Sequence, residues 1–311
     1  MRVIRDWRGL SARDRGAAVA LGNFDGVHRG HQKVIAQAAE AARRLGAPLG
    51  VISFEPHPRR IFQPNEPAFR LMRPAQQARA LEALGVDLFY ILPFDEEMKN
   101  LTDREFAREV LHEGLGVRHV AVGFDISFGK GRTGSPATMS AYGEEFGFSV
   151  SVAGAVADKE GEKYSSTGVR DALRDGRPEV AAAILGRPFA IEGPVQRGRQ
   201  LGRELGFPTA NVQVDDYVQP KFGVYATRTR LPDGREVPGV ANIGVNPTVG
   251  EVAPVLEVWL FDFDEDIYDQ TIETDLITFL RPELKFDGLD AMVEQVMRDA
   301  AQARKILMPE F

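Results

Sequence analysis

A chain of 311 residues is too long for one ordinary core and suits two domains of about 150 residues each. Hydrophobic residues at 43% and charged residues at 27% match a folded globular protein rather than a disordered one. A net charge of −7 argues against a general nucleic-acid binder, and the absence of cysteine excludes disulfides, thiolate catalysis and thiolate-bound zinc. No apolar run approaches the roughly 20 residues of a membrane span. The start, Met1 to Trp7, lacks an apolar signal segment, so the expected location is cytoplasmic.

The first half alternates strand-like and helical stretches. Ala18 to Leu21 is a short apolar run that breaks at Gly22, and Gln32 to Leu45 reads as an Ala-rich helix. Leu49 to Phe54, Leu88 to Leu92 and His119 to Gly123 read as further strands; Gln76 to Leu84 and Asp103 to Leu115 read as helices, the latter with Thr102 as its cap. This alternation predicts a parallel sheet wrapped by helices, with ligands at the carboxyl ends of its strands. Thr167 to Arg174 and Pro178 to Leu185 read as two closing helices.

Beyond Gly186 the pattern changes. Phe189 to Val195, Val224 to Arg230, Gly239 to Ile243, Leu256 to Phe261 and Thr271 to Phe279 are apolar or alternating runs separated by turn residues. They predict a small antiparallel barrel, and Leu289 to Leu307 a final helix. The expected domains are 1–186 and 187–311.

All five histidines lie in the first 119 residues. The informative stretch is Gly22-Asn23-Phe24-Asp25-Gly26-Val27-His28-Arg29-Gly30-His31, placed between a strand and a helix. Backbone N–H groups and the helix dipole favour an anion there. His28 and His31, three apart, are expected on one helical face, with Gly30 letting a phosphate approach the backbone. Imidazoles donating to phosphate oxygens stabilise charge during phosphoryl or nucleotidyl transfer. Zinc would need two more ligands, of which His57 is the only further imidazole candidate.

This stretch resembles the first motif of the HxGH nucleotidylyltransferases, and more narrowly that of bacterial bifunctional riboflavin kinase/FAD synthetases. Phe54-Glu55-Pro56-His57-Pro58, Val122 to Lys130 and Ser165-Ser166-Thr167-Gly168-Val169-Arg170 fit the same domain. The resemblance implies an α/β, Rossmann-like adenylyltransferase domain with His28 and His31 catalytic. Gly22, Asn23, Phe24, Gly30, Ser166, Thr167 and Arg170 would then bind ATP phosphates, Thr167 being read as a helix cap. Pro56 and Asp125 would lie near the flavin or the metal-phosphate group; from the residues alone Asp125 is equally a turn residue after a strand. Leu71-Met72 and Gln77 stand where the family often has Leu-Thr and Lys. Gly129-Lys130-Gly131 is no P-loop, since neither the following Ser or Thr nor the leading Gly is present.

The second signature, Gly193 to Asn211, has four glycines in its first fourteen residues, with three arginines among them, which suits an adaptable polyphosphate loop. Read as Gly-Pro-Val-Gln-Arg-Gly-Arg-Gln-Leu-Gly-Arg-Glu-Leu-Gly-Phe-Pro-Thr-Ala-Asn, it closely resembles the riboflavin kinase motif, continued by Asn242 to Thr248 and Leu256 to Phe263. The resemblance implies a small β-barrel kinase with a C-terminal helix. Gly198, Arg199, Gly202 and Arg203 would bind ATP, Thr209 and Asn211 Mg²⁺, and Asn246, Thr248 and Trp259 the flavin. Glu257 would accept the proton of the riboflavin 5′-hydroxyl; from the residues alone it is a solvated position on an alternating strand. Trp259 stands where the family commonly has His, and Asp269 where it has Gly. Asp262 to Asp266 mimics a calcium loop, but Ile267 fills its Gly position, so a solvated acidic turn is expected. Riboflavin, FMN and ATP are the expected partners, with no nucleic acid or membrane.

Overall fold

The computed structural model describes residues 1–157, 161, 163–198, 202, 205–245 and 254–308. Contacts divide the chain into two compact units, Met1–Glu66 with Pro74–Ser165, and Pro67–Arg73 with Ser166–Phe311.

The first unit is a six-stranded, wholly parallel sheet. Its strands are β1 (Arg2–Ile4), β2 (Ala18–Leu21), β3 (Leu49–Glu55), β4 (Leu88–Pro93), β5 (His119–Gly123) and β6 (Ser149–Ala153), in the order β1-β4-β3-β2-β5-β6. The four central strands are largely apolar and mostly buried on both faces, as a parallel sheet requires. Helix α1 (Arg29–Leu45) packs over β2 and β5, burying Val34, Ile35, Ala38, Ala41 and Ala42 at helical spacing. Burying a Val or Ile side chain is worth roughly 1.5–3 kcal/mol. Gly46 then ends the helix in the left-handed region, φ 57°.

Shorter helices follow: α2 (Pro58–Phe62), α3 (Pro74–Ala83), α4 (Glu96–Asn100), α5 (Asp103–Glu105) and α6 (Pro136–Phe146). Thr102 caps α5 in a reciprocal box with Glu105, and the chain then winds on as a π-helix over Phe106–Gly114. Strands β1 and β6 and helix α6 were not apparent from the sequence. β1 has only three residues, and β6 is an edge strand in which Ser149 and Ser151 interrupt the apolar pattern. Those serines have a partner. His119, only 3% exposed, contacts the Ser149 hydroxyl through Nδ1 at 2.8 Å and the Ser151 hydroxyl through Nε2 at 2.9 Å.

Helices α7 (Ser166–Arg174) and α8 (Pro178–Leu185), read as closing the first domain, group with the second unit. That unit is a curled antiparallel sheet of β7 (Phe189–Pro194), β8 (Thr209–Gln213), β9 (Gly223–Arg230), β10 (Glu236–Val245), β11 (Pro254–Leu260) and β12 (Thr271–Arg281), in the order β7-β12-β9-β10-β11-β8. The curl brings the end of β7 back to β8 through a single bridge, Gln196 to Asn211. Alternation sorts the residues. Val212, Tyr225, Ile243, Leu256, Val258 and Leu276 fill the inner face, while Val224, Ala226, Val240 and Phe261 face the final helix α9 (Leu289–Leu307) and meet Ala300, Ala303 and Leu307. β8 was unforeseen because Thr209-Ala210-Asn211 reads as the end of a loop motif.

Candidate active sites

In the first unit the strand order reverses at β2 and β5. β2 connects outward to β3 on one side, and β5 to β6 on the other. Ligands of open α/β sheets bind beyond the carboxyl ends of strands at such a point, and the turn after β2 and the turn after β5 meet this rule. The first carries the histidines. Phe24 (φ 51°), Gly26 (φ 87°) and Val27 (φ 43°) are all left-handed, a strained state for a β-branched residue. Burial of the Phe24 and Val27 side chains holds the turn. So do three hydrogen bonds: the Ser53 hydroxyl and Gln77 Nε2 donate to the Asn23 carbonyl at 3.0 and 2.8 Å, and Gln32 Nε2 donates to the Val27 carbonyl at 2.9 Å.

His28 does not lie on the helix. It is the N-cap of α1, and its Nδ1 accepts the His31 backbone N–H at 3.3 Å. The cap brings the two rings together at 3.6 Å between centroids, and Phe24 meets the His31 ring edge-on at 5.2 Å. Gly30 keeps this approach close: a Cβ would lie 3.0 Å from the His28 ring and 3.1 Å from the Tyr164 carbonyl, a tight fit. Gly22 lies beneath the Phe24 ring. Beyond β5, Asp125 pairs with Lys163 at 2.6 Å, and Lys163 sits 4.5 Å over the Phe124 ring. Pro56 follows β3 through a cis peptide. Thr167 is not a cap: α7 begins at Ser166, so Thr167 lies inside its first turn. Arg170 is buried and donates to the Phe69 carbonyl at 2.7 Å within the second unit. The sequence did not single out Asp25, Ser53, Tyr164 or Lys163; Asp25 is buried within the turn.

In the second unit the cross-strand register assembles a rank. Asn211, Glu257, Asn242, Val224 and Arg281 stand side by side on β8, β11, β10, β9 and β12. The next rank on the same face holds Thr209, Trp259, Val240 and Ala226. Between this face, α9 and the chain after β12 lies a cavity of about 280 Å³, lined among others by Gly202, Thr209, Glu257, Trp259, Arg281 and Asp299. Trp259 packs on Phe207 and Phe261, at 5.7 and 5.6 Å between centroids. Asn211 Nδ2 faces the Thr209 carbonyl at 3.5 Å, and a Cβ on Gly198 would collide with that amide. Arg199, Arg203, Asn246 and Thr248 lie outside the described residues.

Asp269 has φ 61°, a left-handed position that explains why glycine suits it and why Asp, which tolerates that region, can replace it. In the acidic turn Arg304 forks onto Asp262 at 2.8 and 2.9 Å, and Arg235 onto Glu265 at 2.7 and 2.8 Å. The turn is ion-paired rather than merely solvated, and among the described residues no cluster of three His, Asp or Glu could hold a metal.

Two family models match in tandem, FAD synthetase over residues 10–168 and riboflavin kinase over residues 185–307. The chain belongs to the bifunctional riboflavin kinase/FMN adenylyltransferase family. A member from Pseudomonas fluorescens is 41% identical, covering 99% of both chains. One from Escherichia coli K12 is 39% identical, covering 98% of this chain and 97% of the relative, and one from Bacillus subtilis is 36% identical over 92% and 91%. A solved structure described as a macrolide-efflux protein from Streptococcus pneumoniae superposes with a TM-score of 0.86 at 31% identity, covering 97% of this chain and 98% of the other. Among the described residues no helix is long and apolar enough to cross a membrane. The family assigns the parallel α/β unit to FAD synthesis and the antiparallel unit to flavin phosphorylation.

Proposed function

We propose that this family member carries out both reactions, residues 187–311 phosphorylating riboflavin to FMN and residues 1–186 adenylylating FMN to FAD, each at the expense of ATP. One observation carries the kinase site: Glu257 lines one cavity with Thr209 and Trp259, and Asn211 is its direct neighbour across the sheet. Glu257 accepts the proton of the 5′-hydroxyl as that oxygen attacks the γ-phosphorus of ATP, and ADP leaves. Mg²⁺ fits the oxygens beside it. The Thr209 hydroxyl and the Asn211 amide oxygen are hard donors that would hold it. Bound there, Mg²⁺ would neutralise charge on the ATP phosphates. Gly198 and Gly202 border this site from the polyphosphate loop, for which Arg199 and Arg203 are further candidates. Trp259 supplies an aromatic wall for the flavin, with Asn246 and Thr248 as the other candidate contacts.

In the adenylyltransferase, the N-terminus of α1 and the two imidazoles form the phosphate site. His28 Nδ1 accepts a backbone N–H, so a neutral His28 carries its proton on Nε2 and can donate to a phosphate oxygen. His31, stacked on it, donates beside it while an FMN phosphate oxygen attacks the α-phosphorus and pyrophosphate leaves. Gly22, Asn23, Phe24 and Gly30 shape the turn. Pro56 and Asp125, just beyond β3 and β5, are the candidate flavin contacts. ATP as substrate of both steps supports a cytoplasmic location.

A crossed pair of mutants tests the assignment, with FMN and FAD separated after incubation with riboflavin, Mg²⁺ and ATP. His28→Ala should lower FAD formation from FMN by about 10²-fold or more and leave FMN formation near wild type. Glu257→Gln should lower riboflavin phosphorylation by about 10²–10⁴-fold yet still convert supplied FMN to FAD. Loss of both activities in either folded mutant defeats the two-site reading.

A further inference from the structure

The Asn23 carbonyl accepts two side-chain hydrogen bonds, and the two donors come from separate elements. Ile52 on β3 takes the Gly22 N–H at 3.2 Å, where the pairing of β2 with β3 ends, and Ser53 is the next residue. The register thus delivers the buried Ser53 hydroxyl to the Asn23 carbonyl at 3.0 Å. Gln77 arrives from α3, and its Nε2 donates to the same oxygen at 2.8 Å. A carbonyl oxygen has two lone pairs, so both are engaged. That oxygen belongs to the peptide unit joining Asn23 to Phe24. Holding it therefore constrains the φ of Phe24, the first left-handed residue of the turn at 51°. Such a conformation in a bulky residue persists only where its surroundings over-determine it. The Val27 N–H closes the turn on the Phe24 carbonyl at 3.0 Å.

Phe24 also reaches the histidines. Its ring meets His31 edge-on at 5.2 Å, and His31 stacks on His28 at 3.6 Å. One line of contacts thus runs from the Asn23 oxygen through Phe24 to both imidazoles. We infer that Ser53 and Gln77 are positioning residues for adenylyl transfer, locking the turn whose Phe24 ring sets the imidazole pair. This rests on the reading of His28 and His31 as donors to the phosphates. Each acts through the Asn23 oxygen rather than on the reacting atoms. A reacting group misplaced by about 1 Å can cost about 10²-fold in rate, so a clamp at this remove matters to the chemistry. The clamp also accounts for the residue at position 77. The family often has Lys there, and an ammonium and an amide share the capacity to donate to a carbonyl.

The test uses full-length protein and reads kcat and KM for FMN adenylylation, with riboflavin phosphorylation and thermal unfolding measured on each variant. Gln77→Met keeps the length of the side chain and removes the donor without adding charge; Ser53→Ala removes the other. Each alone should lower kcat by about 3-fold, the loss of one ordinary hydrogen bond while its neighbour stays. The double variant should lower kcat by about 10²-fold, more than the roughly 10-fold product of the two, because either donor alone can hold the oxygen. The ATP and FMN KM should stay within about 3-fold, and riboflavin phosphorylation should not change. Gln77→Lys should keep the wild-type kcat, and on the Ser53→Ala background it should add no further loss. A folded double variant with wild-type kcat, or a loss confined to KM, overturns the inference and leaves the two bonds a matter of stability alone. If Ser53→Ala does not fold, Gln77→Met and Gln77→Lys decide: a kcat loss that Lys restores supports the clamp, and equal rates overturn it. His28→Ala separates the two failures. If that variant makes FAD normally, the reading of the histidines is wrong; if it is inactive while the double variant keeps wild-type kcat, only the clamp falls.

Discussion

His28 and His31 stack at 3.6 Å because His28 stands outside α1 as its N-cap and turns its ring back over the first helical turn. One residue thus has two roles, capping and donating. Asn caps helices well but has no imidazole. His28→Asn should therefore unfold within about 1 kcal/mol of wild type while FAD formation drops by about 10²-fold. Chemical denaturation beside a pyrophosphate-release assay checks this. A His28→Asn protein that keeps its transferase activity would show that the cap alone matters.

Trp259 lines the kinase cavity against Phe207, whereas Trp7 is buried in the first unit with Arg8 3.7 Å over its ring. Adding riboflavin with MgADP should quench tryptophan emission. Trp259→Phe should remove most of that change and Trp7→Phe little of it. Quenching carried wholly by Trp7 would move the flavin away from the Glu257 face.

His119 is held neutral, its pKa lowered first by burial and then by Arg44. The unfolded chain takes up its proton near pH 6.5, before the folded protein does. The unfolded state thus binds more protons below that pH, and stability falls as pH drops through about 6.5 toward the lower folded value. His119→Gln, which keeps polar contacts for Ser149 and Ser151, should flatten the fall in Tm between pH 7 and 5. An unchanged slope would show that other groups set it.

Asp275 has the opposite sign. Burial, and then Glu273, push its pKa up to about 6. Between that value and the roughly 3.9 of the unfolded chain, the folded state binds more protons, so stability falls as pH rises through this window and stays reduced above it. Asp275→Asn should raise Tm at pH 7.5, with the gain shrinking to near zero at pH 4. Equal Tm values at pH 7.5 would mean that Arg230 and Arg187 offset the burial of the carboxylate.

Helix α8 buries Ala181, Ile184 and Leu185 and packs on β7 and β12. A kinase fragment of residues 187–311 loses that cover, and each large side chain is worth roughly 1.5–3 kcal/mol. Residues 166–311 should melt several degrees higher than residues 187–311, with both phosphorylating riboflavin. Identical melting curves would show that the helices add nothing to the kinase fold.

Much of this protein is written locally. Gly22 to His31 carries its own turn, cap and helix start, so its chemistry was legible in ten residues. The strand-to-helix rhythm before Gly186 announced a parallel sheet, and Leu256 to Leu260 announced which residues face inward. The resemblance to the family then supplied the roles of Glu257 and Thr209, which alternation alone leaves open. What the sequence left unsettled depends on register and on partners distant in the chain. His28 looked helical because spacing of three cannot separate a cap from a first turn; its φ and ψ decide that. Ser149 and Ser151 fall in no element read from the sequence, because their partner, His119, is 30 and 32 positions away. Gln77 seemed only a departure from a motif until folding brought it to the Asn23 carbonyl. The rank from Asn211 through Glu257 and Asn242 to Arg281 comes from four polar residues on separate strands. A slip of one residue in any pairing would turn one of them to the other face, so only the tertiary structure could place Arg281 and Asp299 on the wall of the Glu257 cavity.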